Sequence, residues 1–258
     1  MKILVTNDDG IFADGLWTLV RELISFADVV VVAPDREQSA IGTAVTLRQP
    51  LRIQKIKSMV PEVETYSIDG TPSDSVILAL EKLIKSRVDV VVSGINSSPN
   101  LGEDVHISGT VSAALQAYLR GFPAVAVSAL NENEQCLNTA ARITAILVKK
   151  MLAIPQGKIF LNVNVPDLPP AKVTGAKITR LARESHVNTV EESSHGRQKH
   201  YWLVRQKIGG ATDDSTDVWA LEQGNISVTP LYTTRSDKPP QHILNSLCAD
   251  LFDEFKRI

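Results

Sequence analysis

The chain has 258 residues, enough to bury a substantial core, and 27 Lys and Arg against 29 Asp and Glu give a formal net charge of -2. That balance supplies no global basic field, so a nucleic-acid polymer is not expected as a partner, although phosphate remains a fitting substrate. Cys136 and Cys248 lie too far apart in sequence to mark a disulfide framework or a thiolate zinc site, and the N-terminus lacks a signal-like pattern. No run is long and apolar enough to cross a bilayer. A soluble cytoplasmic protein without a membrane partner is the expectation.

In chain order, Ile3-Leu4-Val5 has the near-continuous apolar character of a strand covered on both faces, which a parallel sheet flanked by helices demands. It ends in Asn7-Asp8-Asp9-Gly10, which places two carboxylates at the carboxyl end of that strand. Leu16, Leu19, Val20 and Leu23 then recur at helical spacing, and Asp28 to Ala33 forms a second strand stopped by Pro34. A polar loop with Gln38-Ser39 follows at the same end of the sheet. Ala44 to Leu47 and Glu64 to Ile68 read as short strands.

Thr71-Pro72-Ser73-Asp74 predicts a capped helix start, with the helix running to about Lys85. Val88 to Ser93 is another buried strand, ending in the turn-rich stretch from Gly94 to Gly102. A helix then opens near Gly109 or Thr110, Pro123 to Ser128 supplies a further strand, and a helix over about Leu137 to Met151 precedes a strand at Ile159 to Val163. That strand reads as the last of the core. From about Arg183 to Asp217 the chain turns polar around one strand at Tyr201 to Val204, the pattern of a projecting hairpin arm. Ile226 to Thr229 predicts a return strand and His242 to Phe255 a terminal helix. The alternation makes the fold class α/β, a Rossmann-like sandwich with a mainly parallel sheet. Residues 1–180 are expected as the catalytic core and 181–258 as an extension comprising the arm, return strand and terminal helix.

Three polar loops thus converge at one sheet edge. Asp8, Asp9, Ser39 and Asn96 offer only oxygen donors from side chains, suiting one divalent ion such as Mg²⁺ or Mn²⁺, with water or phosphate completing the coordination. An ordinary Asp-Gly turn with a helix cap accounts for the acidic decapeptide equally well when it is taken alone. Ser108-Gly109-Thr110 opens a helix whose free amides suit a phosphate; taken alone, these residues also fit a plain cap. The five histidines, His106, His186, His195, His200 and His242, lack the spacing of a zinc pair. Adjacent acids also lack the Asp-x-Asp alternation that presents two carboxylates on one side of an extended chain, so attack by a metal-activated water is favoured over an aspartyl-phosphate. Asp8, Asp9 and Asn96 are the catalytic candidates. A metal- and nucleotide-binding sensor without turnover is the alternative, disfavoured because Ser93-Gly94-Ile95-Asn96 offers no central phosphoacceptor Asp. A mainly structural protein with the arm as an assembly device is a third.

The motifs Val5-Thr6-Asn7-Asp8-Asp9-Gly10, Ala33-Pro34-Asp35-Arg36, Gly70-Thr71-Pro72-Ser73-Asp74, Val92-Ser93-Gly94-Ile95-Asn96, Pro99-Asn100-Leu101-Gly102 and Ser108-Gly109-Thr110-Val111 closely resemble those of the SurE survival-protein nucleotidases, in the same order and spacing. The resemblance extends through Leu161 to Pro166 and Ile226 to Leu231. It implies a metal-dependent phosphohydrolase acting on nucleoside 5′- and often 3′-monophosphates, with short-chain polyphosphate reported for some members. It places metal ligands on Asp8, Asp9, Ser39 and Asn96, and a phosphate-binding turn on Ser108, Gly109 and Thr110. It also implies a swapped C-terminal region that forms homodimers or homotetramers. This chain departs from the family pattern at Ser97-Ser98, Ile107 and Asn225, which leaves the base preference open.

Overall fold

Runs such as Val29 to Val32 and Val90 to Val92 have no polar face to show to water, so they can be stable only as strands covered on both sides. The computed structural model describes residues 1–154, 158–183, 186–195, 198–207, 213–234 and 237–256, and it buries these runs in one central sheet. The strands are β1 (Lys2–Thr6), β2 (Asp28–Pro34), β3 (Ile53–Lys55), β4 (Glu64–Ile68), β5 (Val90–Asn96), β6 (Ala124–Ala129), β7 (Phe160–Val165), β8 (Gly175–Ile178), β9 (His186–His195), β10 (Gln198–Lys207) and β11 (Asn225–Leu231). The helices are α1 (Asp14–Leu23), α2 (Pro72–Leu78), α3 (Gly109–Leu119), α4 (Glu134–Leu152), α5 (Asp217–Glu222), α6 (Gln241–Cys248) and α7 (Leu251–Lys256).

The sheet runs β3-β4-β2-β1-β5-β6-β7-β11-β8. Pairing is parallel from β4 through β7 and between β11 and β8, and antiparallel at β3/β4 and β7/β11. Alternation divides the core into two layers. Ile3, Val5, Val90 and Val92 pack in one with residues of α1 and α4, while Leu4, Val91, Ala124 and Ala126 pack in the other with residues of α2 and α3. The chain leaves β1 towards β2 and β4, then returns to β5 on the opposite side of β1. The strand order therefore reverses between β1 and β5, the crevice where open parallel sheets bind ligands.

Several elements differ from the sequence reading. Ala44 to Leu47 is not a strand: Asp74 takes the amide and hydroxyl of Thr46 at 2.9 and 2.6 Å, and Thr71 donates to the Ala44 carbonyl. Leu47 is 86% exposed, so that segment has no apolar face to press onto a sheet. The predicted cap of α2 forms, closed by Thr71 and Asp74 as a reciprocal capping box, yet the α-helix gives way at Ala79–Leu83 to a wider π turn that ends at Ile84. The β7 strand is not the last of the core, since β11 and β8 lie beyond it. Ser227 and Thr229 place hydroxyls where a buried strand would normally show apolar residues, and these hydroxyls are satisfied by Thr179. The terminal helix breaks at Ala249 and Asp250, the latter in the left-handed region at φ 58°.

The predicted arm is a two-stranded ribbon, β9 and β10, paired from His186↔Lys207 to His195↔Gln198 and separate from the main sheet. Within the span 183–217, residues 184–185, 196–197 and 208–212 lie outside the described set. Val190, Tyr201, Trp202 and Leu203 on the ribbon are each more than 60% exposed. No helix among the described residues is long and apolar enough to cross a membrane.

Candidate active site

At the reversal point the first two loops are stitched together by backbone bonds. The amide of Gln38 donates to the Asp8 carbonyl and that of Ile11 to the Pro34 carbonyl, each at 2.8 Å. The Asn7 side chain closes its own turn onto the Gly10 carbonyl at 2.8 Å. These contacts bring Asp8, Asp9 and Ser39 to one place. On the other side, β5 carries one extra residue relative to β6: Ser93 pairs with Ala126, but Asn96 pairs with Ser128. Gly94 sits at φ 134° in that bulge, where a Cβ would lie 2.3 Å from the Val127 carbonyl oxygen, so only glycine fits. Asn96 is thus the last residue of a bulged strand, which runs three residues past the Ser93 at which the sequence pattern ends it.

Asp8, Asp9, Ser39, Asn96 and Ser108 line one cleft of about 310 Å³. The Asn96 amide nitrogen is committed to the Ser98 carbonyl at 2.6 Å, so its oxygen is the atom it has to offer a cation. Ser39 donates to Glu37 at 2.6 Å and is exposed. The Asp8 carboxylate is buried and accepts the Thr110 hydroxyl. Gly109 lies so close that a Cβ there would fall 2.7 Å from the Asp8 Cβ. The N-terminus of α3 therefore abuts the acid. The Ser108 hydroxyl accepts the Val111 amide at 3.1 Å, so it acts as a helix cap in this structure.

Burial raises the Asp8 carboxyl above its ordinary value, against the lowering effect of Thr110. Asp9 is pushed up to about 7 by burial first, then by the neighbouring charges of Asp8, Glu37 and Glu132. Among the described residues none of Asp8, Asp9 or Glu37 forms an ion pair. Crowded carboxylates with no counter-charge are destabilising unless they are protonated or hold a cation. Among the described residues there is no group of three His, Cys, Asp or Glu suited to a metal. The donors that fit one are two carboxylates, a hydroxyl and an amide oxygen, all hard ligands appropriate to Mg²⁺ or Mn²⁺.

Sequence reasoning did not single out the supports of this cleft. Asn100 donates its backbone amide to Asn164 Oδ1 and its side chain to Ser128, while its carbonyl accepts from Asn162 and Asn164, all at 2.8 to 3.0 Å. Asn162, Asn164 and Ser128 are fully buried, and this network fixes the loop from Ser97 to Leu101 as the cleft wall. The polar residues within the apolar strand Phe160 to Val165 were the available signal. Asp217, also fully buried, holds the amides of Gly102, Ala182 and Val218 at 2.8 to 2.9 Å and so joins that loop to the base of the arm. Arg205 of β10 reaches back to the Asp104 carboxylate and lines the cleft. Nothing in the sequence of the arm marks it.

The family model for survival protein SurE matches residues 3–188. The chain is 50% identical over 246 residues to the 5'-nucleotidase SurE of Dehalococcoides mccartyi, covering 93% of this chain and 92% of that protein. It is 41% identical over 257 residues to the 5'-nucleotidase SurE of Legionella pneumophila, covering 97% and 100% respectively. The crystal structure of the SurE protein from Aquifex aeolicus superposes with a TM-score of 0.77 at 36% identity, covering 92% of this chain and 96% of that one.

Proposed function

The chain belongs to the SurE family, and on that premise we propose that it is a 5′-nucleotidase, a divalent-metal-dependent phosphohydrolase of nucleoside monophosphates. The observation that carries the reading is the convergence of Asp8, Asp9, Ser39 and Asn96 in one cleft, with two crowded carboxylates that form no ion pair among the described residues and whose protons burial holds more tightly than usual. These four residues would hold one Mg²⁺ or Mn²⁺. Such an ion, when bound, makes a coordinated water nucleophilic at neutral pH and offsets charge on the transferring phosphoryl group.

The residues of the chain supply position and polarity around that centre. Thr110 holds Asp8 in one orientation through its hydroxyl, an outer contact of the type that tunes a metal ligand. Asp9 is the more exposed acid and the one suited to orient the attacking water. The turn Ser108-Gly109-Thr110 contributes the positive end of the α3 dipole to the substrate phosphate. Hydrolysis of 3′-monophosphates and of short polyphosphate belongs to the same proposal, since a site that grips the phosphate has no intrinsic need to discriminate what carries it.

The division into a core at 1–180 and an extension at 181–258 used for subunit exchange is likewise proposed, with β11 of that extension built into the core sheet. The exposed apolar side chains of the ribbon, Tyr201, Trp202 and Leu203, support a homodimer or homotetramer, because an isolated two-stranded ribbon gains little stability in water. Release of phosphate from AMP and GMP with Mg²⁺ or Mn²⁺, and its loss with EDTA, tests the activity. Turnover indifferent to chelation, or unchanged in Asp9→Ala, rules the reading out.

A further inference from the structure

A phosphate monoester brings up to two negative charges into a cleft that already holds Asp8, Asp9 and Asp104. One divalent ion balances at most two of the four or five charges then assembled, and the hydroxyl groups nearest the helix terminus are already engaged: Ser108 caps α3 and Thr110 binds Asp8. Among the described residues lining the cleft, Arg205 has the one positively charged side chain. It comes from the arm, not from the core, and it is held at the cleft by the Asp104 carboxylate. Asp104 lies in the 3₁₀ turn Gly102–His106, and its carbonyl accepts the amides of Ile107 and Ser108 at 3.1 Å. That contact fixes the guanidinium beside the turn that opens α3.

Resting on the nucleotidase reading above, we propose that Arg205 is the substrate-binding cation of this site, a guanidinium delivered by the hairpin arm that grips the phosphate of the nucleotide. The Arg205 side chain is 38% exposed while Asp104 is 10% exposed, and a guanidinium carries five donors, more than one carboxylate accepts. A planar guanidinium with five donors suits bidentate contact with phosphate oxygens. The arm thereby has a place in substrate binding as well as in any assembly, and the affinity for phosphate depends on its being docked.

The test compares full-length wild type with Arg205→Ala, Arg205→Gln and Arg205→Lys. For each, the KM and kcat for AMP, the inhibition constant of inorganic phosphate, and phosphate binding by calorimetry with Mg²⁺ are measured. Removing the charge is expected to raise KM and the phosphate constants about tenfold or more, with kcat changed less than about threefold; Lys restores part of the loss. Gln keeps a donor for Asp104 but carries no charge, so it is expected to behave like Ala. If Gln matches the wild type, Arg205 is only a tether and the proposal fails. It fails too if Ala leaves KM and phosphate affinity within twofold. A wild type that binds phosphate, loses that binding in Arg205→Ala, but releases none from any nucleotide would overturn the nucleotidase reading while leaving the Arg205 assignment intact.

Discussion

Asp9→Asn should make the metal-free protein more stable while removing its response to metal. In the folded chain the Asp9 carboxyl titrates near 7 against 3.8 for the free group, because burial and then Asp8, Glu37 and Glu132 disfavour its charge. The folded state therefore binds more protons than the unfolded state between those two values. Stability contributed by this group is present below about pH 4, is lost as pH rises, and is fully lost above about 7. The full displacement corresponds to about 4 kcal/mol, and partial exposure of the side chain reduces the measurable share to about 2–4 kcal/mol. For a chain of this length that is a rise of roughly 5–10 °C in Tm for the variant over wild type at pH 8 in EDTA, with little difference at pH 4. Excess Mg²⁺ or Mn²⁺ should close or reverse the gap: at a thousand times the dissociation constant, binding adds about 4.1 kcal/mol to the wild type alone, enough to match or exceed that difference. Thermal unfolding at the two pH values, with EDTA and with metal, reads all four states. A variant less stable than wild type at pH 8 in EDTA, or one stabilised equally by metal, refutes the argument that Asp9 is held in place at a cost to stability in order to bind a cation.

Thr110→Val removes the donor that opposes the burial of Asp8 and should lower metal affinity about tenfold, moving the acidic limb of the pH–rate profile to higher pH; metal titration and pH profiles check this. Gly109→Ala puts a methyl 2.7 Å from the buried Asp8 Cβ, so a cost of about 1–3 kcal/mol in thermal unfolding and at least a tenfold loss of turnover are expected. The paired change Tyr201→Asp and Leu203→Asp should lower the mass measured by light scattering, if these exposed side chains of the arm contact another subunit, without lowering the Tm of the core.

How much of this was legible in the sequence depended on range. The α2 cap at Thr71, Pro72 and Asp74 is a matter of four consecutive residues, and it formed as read. Where the same Asp74 also captured Thr46, 28 residues away, the local pattern of Ala44 to Leu47 indicated a strand that did not form. Likewise Ile226 to Thr229 read as a return strand after the last core strand, and the Thr179 hydroxyl that satisfies Ser227 and Thr229 inside the sheet is visible only after the strands have paired. The candidate ligands were nameable because each belongs to a polar stretch that closes an apolar run, at once after β1 for Asp8 and Asp9 and a few residues further on for Ser39 and Asn96. Thr110 was marked as part of the phosphate turn, though not as the partner of Asp8, whereas the supports Asp217 and Arg205 come from distant segments and carry no local mark.

The sequence by itself determined the alternating α/β order, the buried strands and the acidic turn at the end of β1, since these follow from short-range periodicity and the chemistry of turn residues. The tertiary structure alone decided that the strand order reverses between β1 and β5, that a one-residue bulge sets Asn96, that Gly109 lets a helix terminus close onto Asp8, and that the arm brings Arg205 to the cleft. Those outcomes depend on which distant surfaces satisfy one another's polar groups and fill one another's volume. Such choices are made by the folded whole and not by any segment of the chain.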